Sequence, residues 1–159
     1  MTKTKPSDAL KYVEDDPVCP DINAQDRIIN HFEMYNTEFA VICIAFCDKI
    51  PTTEENLLSS NKGDIAVFYS VWSYKKGAGR DIVFRALDLV KKRNCTRYVT
   101  MSPKTEMAEK FHIRNGAKLI RENKLTNNFF SDDVMIGNTH EKRIENWLKT
   151  FGANNLKEN

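Results

Sequence analysis

Asp64-Ile65-Ala66-Val67-Phe68-Tyr69-Ser70-Val71-Trp72, followed closely by Lys75-Lys76-Gly77-Ala78-Gly79-Arg80 and then by Asp81 to Arg93, decides the fold. The first run is branched and aromatic, the composition of a buried strand. The last places Ile82, Val83, Ala86, Leu87, Leu89 and Val90 on one wide helical face. It closes on Lys91-Lys92-Arg93, where cations favour the helix dipole. A strand that turns through glycines into a helix is half of a crossover unit, so the next strand is sought downstream. Arg97-Tyr98-Val99-Thr100-Met101 has that composition. Pro103 to Asn115 reads as a second helix, stopped by Gly116, the residue type suited to the left-handed position after a helix end. Ala117 to Arg121 reads as a further strand. Residues 64 to 121 therefore predict a βαβαβ-like core with one crossover helix per strand pair.

Working outward, Glu38 to Phe46 predicts another buried strand. Ile50 to Glu55 predicts a loop entering a short helix capped by Thr52 or Thr53, and Ser59 to Gly63 a turn. Ile28, Ile29 and Phe32 have helical spacing and predict a helix over Ala24 to Met34. Residues 1–23 are polar, carry Pro6, Pro17 and Pro20, and read as an extended arm. After Glu122 the pattern becomes an Asn-rich loop. An amphipathic helix from His140 to Phe151 and a polar tail, 152–159, follow. Its Ile144, Trp147, Leu148 and Phe151 would cover the core or meet a partner. The expectation is one α/β (α+β) domain over 1–159, a mixed central sheet flanked by helices.

Composition narrows the function. Lys plus Arg number 24 and Asp plus Glu 22, for a net charge of +2. That balance lacks the concentrated basic surface of a dedicated nucleic-acid binder. The polar start has no apolar leader, and no apolar run approaches the roughly 20 residues of a membrane span. Cys19, Cys43, Cys47 and Cys95 form no CxxC pair, and only His31, His112 and His140 could join them, so no metal site is expected. Cysteines in apolar runs fit reduced thiols and a cytoplasmic setting.

Gly77 and Gly79 lie between strand and helix. Glycines admit close approach of an anion, the helix start offers N–H groups, and Lys75, Lys76 and Arg80 add positive charge for a phosphate. The order is neither GxxxxGK[ST] nor GxGxxG. Two readings stay open on the loop alone: an anion cradle, or a tight turn flanked by solvated lysines.

Val67 to Arg121 resembles the acetyl-CoA-binding core of GNAT acyltransferases, in which a bulged strand delivers a basic Gly-x-Gly loop, then a helix, a strand, a helix ending in Asn-Gly and a last strand. Within that group, Ile50-Pro51, Phe68-Tyr69-Ser70, the Gly77 loop, Met101-Ser102-Pro103 and Phe111-His112-x-x-Asn115-Gly116-Ala117 resemble, in the same order, the catalytic domain of malonyl-CoA decarboxylases. The resemblance spans residues 40 to 123 and does not include that family's helical N-terminal domain. It implies a GNAT-like sheet, a coenzyme A thioester (malonyl-CoA or acetyl-CoA) as substrate, no metal, and Ser102 and His112 working as a pair on the acyl group. Ser70 would be a second polar contact and Asn115 a positioning residue. Val71, Trp72, Lys75, Lys76, Gly77, Ala78, Gly79 and Arg80 would hold the cofactor.

Plainer roles stand beside these. Ser102 before Pro103 also fits a helix N-cap. His112 also fits a half-buried packing residue, Ser70 a contact to a neighbouring strand, Asn115-Gly116 a helix stop, and Trp72 the core. A GNAT N-acetyltransferase is the competing enzyme. It wants a carboxylate base on the strands at 41–46 or 68–70, which carry none. A CoA-binding protein without turnover is the third reading. The expected partner is a small acyl-CoA, with no nucleic acid and no membrane, and the assembly state is left open, homo-oligomer included.

Overall fold

The computed structural model describes residues 1–103, 118–122 and 126–130, with side chains through residue 101. Seven strands form one mixed sheet: β1 (Thr2–Lys3), β2 (Phe32–Asn36), β3 (Ala40–Cys47), β4 (Ile65–Ser73), β5 (Arg97–Pro103), β6 (Lys118–Glu122) and β7 (Thr126–Phe130), in the order β1-β2-β3-β4-β5-β7-β6. Among the described residues three α-helices accompany them, α1 (Pro6–Val13), α2 (Glu54–Leu58) and α3 (Ala78–Lys92). The fold class is α/β with a mixed sheet, as the sequence predicts.

Every residue of β3 and β4 is buried. The sheet is covered on both faces there, which is why these strands read as unbroken apolar runs. One face packs Ile42, Ile44, Phe68 and Val71 against Ile82, Val83, Ala86 and Val90 of α3. The other packs Val41, Cys43, Val67, Tyr69 and Trp72 under Ala9, Cys19, Ile22 and Leu57. Cys43 pairs with Ser70 and Ile44 with Phe68, so Tyr69 is an extra residue on β4. This β-bulge turns Tyr69 and Ser70 to the same face and restores regular alternation beyond them.

Strands β4 and β5 are parallel and joined through α3, the expected crossover. Their pairing runs from Ile65↔Arg97 to Phe68↔Thr100, although β4 continues to Ser73 and β5 to Pro103. Thr53 caps α2, its side chain accepting the Asn56 N–H at 2.9 Å.

Four expectations are corrected. Residues 24–34 are not a helix: a single 3-10 turn at Gln25–Arg27 gives way to β2. Asn30 is left-handed at φ 54°, which ends any helix, and five residue pairs with β3 outweigh the local periodicity. Residues 1–23 are not an extended arm. Pro6 opens α1, where a missing N–H costs nothing, and β1 pairs with β2. The Asn-rich stretch after Glu122 contains β7, which pairs on both sides, with β5 and β6, and so overrides the poor strand propensity of Asn127 and Asn128. It also separates β6 from β5, so the simple βαβαβ order does not hold. Finally, Ser102 and Pro103 belong to β5, opposite Asn127 and Thr126, so no helix begins at Pro103. The rest of that predicted helix, with His112, Asn115 and Gly116, and the His140–Phe151 helix and tail lie outside the described residues.

Candidate functional site

The glycine loop sits where β4 ends and α3 begins. Gly77 is the residue before the helix and adopts φ 86°, a left-handed conformation that side chains disfavour. Space is not its constraint, since a Cβ there would meet nothing within 4 Å. Its carbonyl accepts from Asp81 N–H at 3.3 Å. The helix therefore starts earlier than the sequence suggests, and Ala78, Gly79 and Arg80 form its first turn. No side chain caps this end. The opening N–H groups of a helix lack intrahelical partners and carry the positive end of its dipole.

Lys75 and Lys76 are exposed, and the Lys75 ammonium stands 4.9 Å from the centre of the Phe39 ring. Asp81 is paired with Arg85 at 3.0 Å, which offsets a carboxylate at the helix start. Gly77, Arg80, Asp81 and the exposed Phe84 line a surface depression of about 300 Å³. A few residues back, β4 and β5 part company after Phe68 and Thr100. The β4–β5 ladder does not extend beyond that point. The crevice at the carboxyl ends of parallel strands is where open α/β sheets take ligands.

Val71 is buried against α3 and Trp72 on the opposite face. Trp72 Nε1–H donates to Tyr74 Oη at 3.1 Å, and Tyr74 donates to Asp15 at 2.7 Å. Burial, with the Asp15 bond, pushes the Tyr74 phenol well above its ordinary range. Ser70 is buried and donates to Asp16 Oδ1 at 2.8 Å. Its hydroxyl thus faces a polar knot beneath the N-terminal segment.

That knot is the feature the sequence reading missed. Asp16 and Arg27 are both buried and paired at 2.5 Å. Asp16 Oδ1 also accepts from the N–H groups of Val18 (2.7 Å) and Cys19 (3.0 Å). Arg27 donates to the carbonyls of Cys19 and Ile22 and lies 3.6 Å from Cys43 Sγ. Burial pushes the Cys43 thiol up to about 11 despite the guanidinium beside it. It is a packing thiol and not a nucleophile. The Tyr69 hydroxyl lacks a partner of good hydrogen-bond geometry, yet lies near enough to Cys43 to influence its proton; we read the pair as a weak contact. Asp-Pro at 16–17, a common turn starter, was the available signal for this site.

A larger cavity, about 490 Å³, lies at the opposite end of the sheet, where Ile65 and Arg97 begin their strands. Among the described residues no group of His, Cys, Asp and Glu is arranged to hold a metal, and no helix is long and apolar enough to cross a membrane.

Fold and site together define a mixed α/β protein with a basic glycine turn at the end of a bulged central strand. No family model matches the chain, and no curated protein matches it. Among solved structures, the chain is similar to a malonyl-CoA decarboxylase from Cupriavidus metallidurans, at 16% identity and a TM-score of 0.48, over 71% of this chain and 32% of that one. The match thus spans less than a third of that structure's length.

Proposed function

We propose that this chain binds a coenzyme A thioester and acts on its acyl group, most simply by decarboxylating a malonyl thioester. The observation that carries the reading is the parting of β4 from β5 after Phe68↔Thr100, directly behind the Gly77 turn. Where a parallel ladder stops, the backbone groups on its facing edges suit an extended, amide-bearing chain such as pantetheine. The uncapped helix start with Lys75, Lys76 and Arg80 suits its phosphates.

Ser102 and His112 carry the chemistry in this reading. Decarboxylation breaks the bond between the malonyl carboxylate carbon and the methylene carbon. The electron pair passes into a thioester enolate, whose oxygen Ser102 would stabilise by hydrogen bonding. His112 would then protonate the methylene carbon, giving acetyl-CoA and CO2. Ser70 is placed less favourably for a role in it, because its hydroxyl already serves Asp16. The same knot bears on the acetyltransferase alternative. A carboxylate does stand beside β4, but Asp16 is paired with Arg27 and accepts three further bonds, which leaves it poorly suited as a general base.

The test is incubation of the full chain with malonyl-CoA. Release of CO2 with matching acetyl-CoA, lost in a folded His112→Ala variant, supports the reading. CoA binding with release of free thiol only when an amine is added points instead to acetyl transfer. Absence of CoA binding by calorimetry removes the site itself.

A further inference from the structure

We propose that the cavity at the start of β4 and β5 is a second reactive site, in which the Ser60 hydroxyl, activated by His31, attacks a small carboxylic ester. Ser60 Oγ lies 2.8 Å from His31 Nε2, and Ser60 itself lines the 490 Å³ cavity. The histidine is buried and does not itself line the cavity, while the serine does. A hydroxyl on a cavity wall within hydrogen-bond reach of a buried imidazole is the arrangement of a nucleophile with its base.

Both partners sit on fixed backbone. His31 immediately precedes β2, its carbonyl accepts from Phe46 N–H at 2.9 Å, and its ring centre lies 4.6 Å from that of Phe32, tilted by 48°. Ser60 belongs to a turn tied to the end of β3 by Asp48 N–H to Asn61 O and Gly63 N–H to Phe46 O, both 3.0 Å, and by the Cys47↔Lys62 bridge. The turn packs so closely that a Cβ on Gly63 would fall 2.3 Å from Asp48 Cα. A nucleophile held this way is preorganised.

The Ser60 hydroxyl has one hydrogen and two acceptors in reach, His31 Nε2 and the Leu57 carbonyl at 2.6 Å, with the Cys47 thiol at 3.4 Å. Rotation about one C–O bond moves the hydrogen between them. Burial lowers the basicity of His31; nearby Asp48 opposes this and Lys62 adds to it. The net direction favours a neutral ring, which can accept a proton. Lys49 and Asn61 line the same cavity and are the donors this proposal assigns to the oxygen of the tetrahedral intermediate.

The step balances without a cofactor. Ser60 Oγ bonds to the acyl carbon as its proton passes to His31. The acyl C–O bond then breaks, and the leaving alcohol takes that proton. Water repeats the sequence and releases the acid. The ligand class is a small ester, and this site is independent of the CoA reading.

A fluorophosphonate probe tests it, since Ser60 attack forms an O–P bond with loss of fluoride, the proton passing to His31. The full chain is labelled and its peptides are mapped by mass. Ser59 is the internal control: it lines the same cavity, but its hydroxyl bonds the Asn56 carbonyl and no histidine. Labelling of Ser60 on the order of a hundredfold faster than Ser59, abolished in Ser60→Ala, is the expected result. Equal labelling of the two serines, labelling elsewhere only, or none on the folded chain overturns the proposal.

Discussion

The Arg27 guanidinium meets the Asp16 carboxylate at 2.5 Å with both side chains shut off from solvent. One residue comes from the 3-10 turn and the other from the loop after α1, and because Asp16 also accepts from Ser70 the pair is fastened to β4. Asp16→Ala leaves a buried unpaired cation and also orphans the N–H groups of Val18 and Cys19 and the hydroxyl of Ser70. We expect a loss of about 3–5 kcal/mol in urea unfolding. Arg27→Lys should not rescue, because an ammonium cannot reproduce the planar fork that reaches Asp16, Cys19 and Ile22 together. A loss below about 1 kcal/mol for Asp16→Ala, the range of an exposed pair, would contradict this account.

Two glycines should respond differently to alanine. At Gly77 the cost is conformational only, about 1–2 kcal/mol for the left-handed backbone. At Gly63 the new Cβ strikes the Asp48 backbone at 2.3–2.4 Å, which no rotamer change relieves. Thermal melts of the two variants should place Gly63→Ala clearly below Gly77→Ala, and the reverse order would refute the close approach.

Glu33 joins β2 to the end of α3. It accepts from Arg93 at 2.5 and 2.8 Å and from the Tyr35 hydroxyl, and Lys3 is 3.8 Å away. Burial alone would raise its carboxyl, but the bonds from Arg93 and Tyr35 and the nearby cations outweigh burial and hold it below the ordinary 4.5. A depressed folded-state value means the stabilisation is complete above about pH 4.5 and fades as pH falls through the lowered value. Glu33→Gln should therefore melt below the parent at pH 7 and converge with it in strong acid. A gap that stays constant down to pH 2 would show that the charge is not responsible.

The basic loop predicts a salt-sensitive CoA affinity. Arg80→Ala should weaken binding by about tenfold, the range of one charge-assisted hydrogen bond. Lys76→Ala, at an exposed position, should cost less and lose its effect in high salt. Calorimetric titration of CoA at low and high salt reads both. Affinity indifferent to Arg80 would place the phosphates elsewhere.

The central hairpin and the crossover were legible because local and global signals agree there. Residues 40–47 and 65–73 are apolar on both faces, and α3 shows its wide stripe. The N-terminal third was misread because its order comes from distant partners. Ile28, Ile29 and Phe32 keep helical spacing, yet the chain reverses at Asn30 and pairs with β3. Strand β7 was hidden by two asparagines that serve a ladder position flanked on both sides. The glycine turn is legible between strand and helix, but Ala78, Gly79 and Arg80 belong to the helix and not to the loop, since only the backbone angle at Gly77 separates a turn from a helix start. The Ser102 and His112 pairing, and Asn115 with it, rest on the sequence resemblance, as those side chains lie outside the described set.

The sheet has a grain. Eight residue pairs bind β3 to β4, and only four bind β4 to β5. The described sheet is thus two planks, β1-β2-β3-β4 and β5-β7-β6, edge-glued along a short seam, with α3 laid over the first. Force applied across the joint therefore meets backbone bonds along four residue pairs only, and beyond Phe68 and Thr100 it meets the side-chain packing of Tyr69 and Met101 instead.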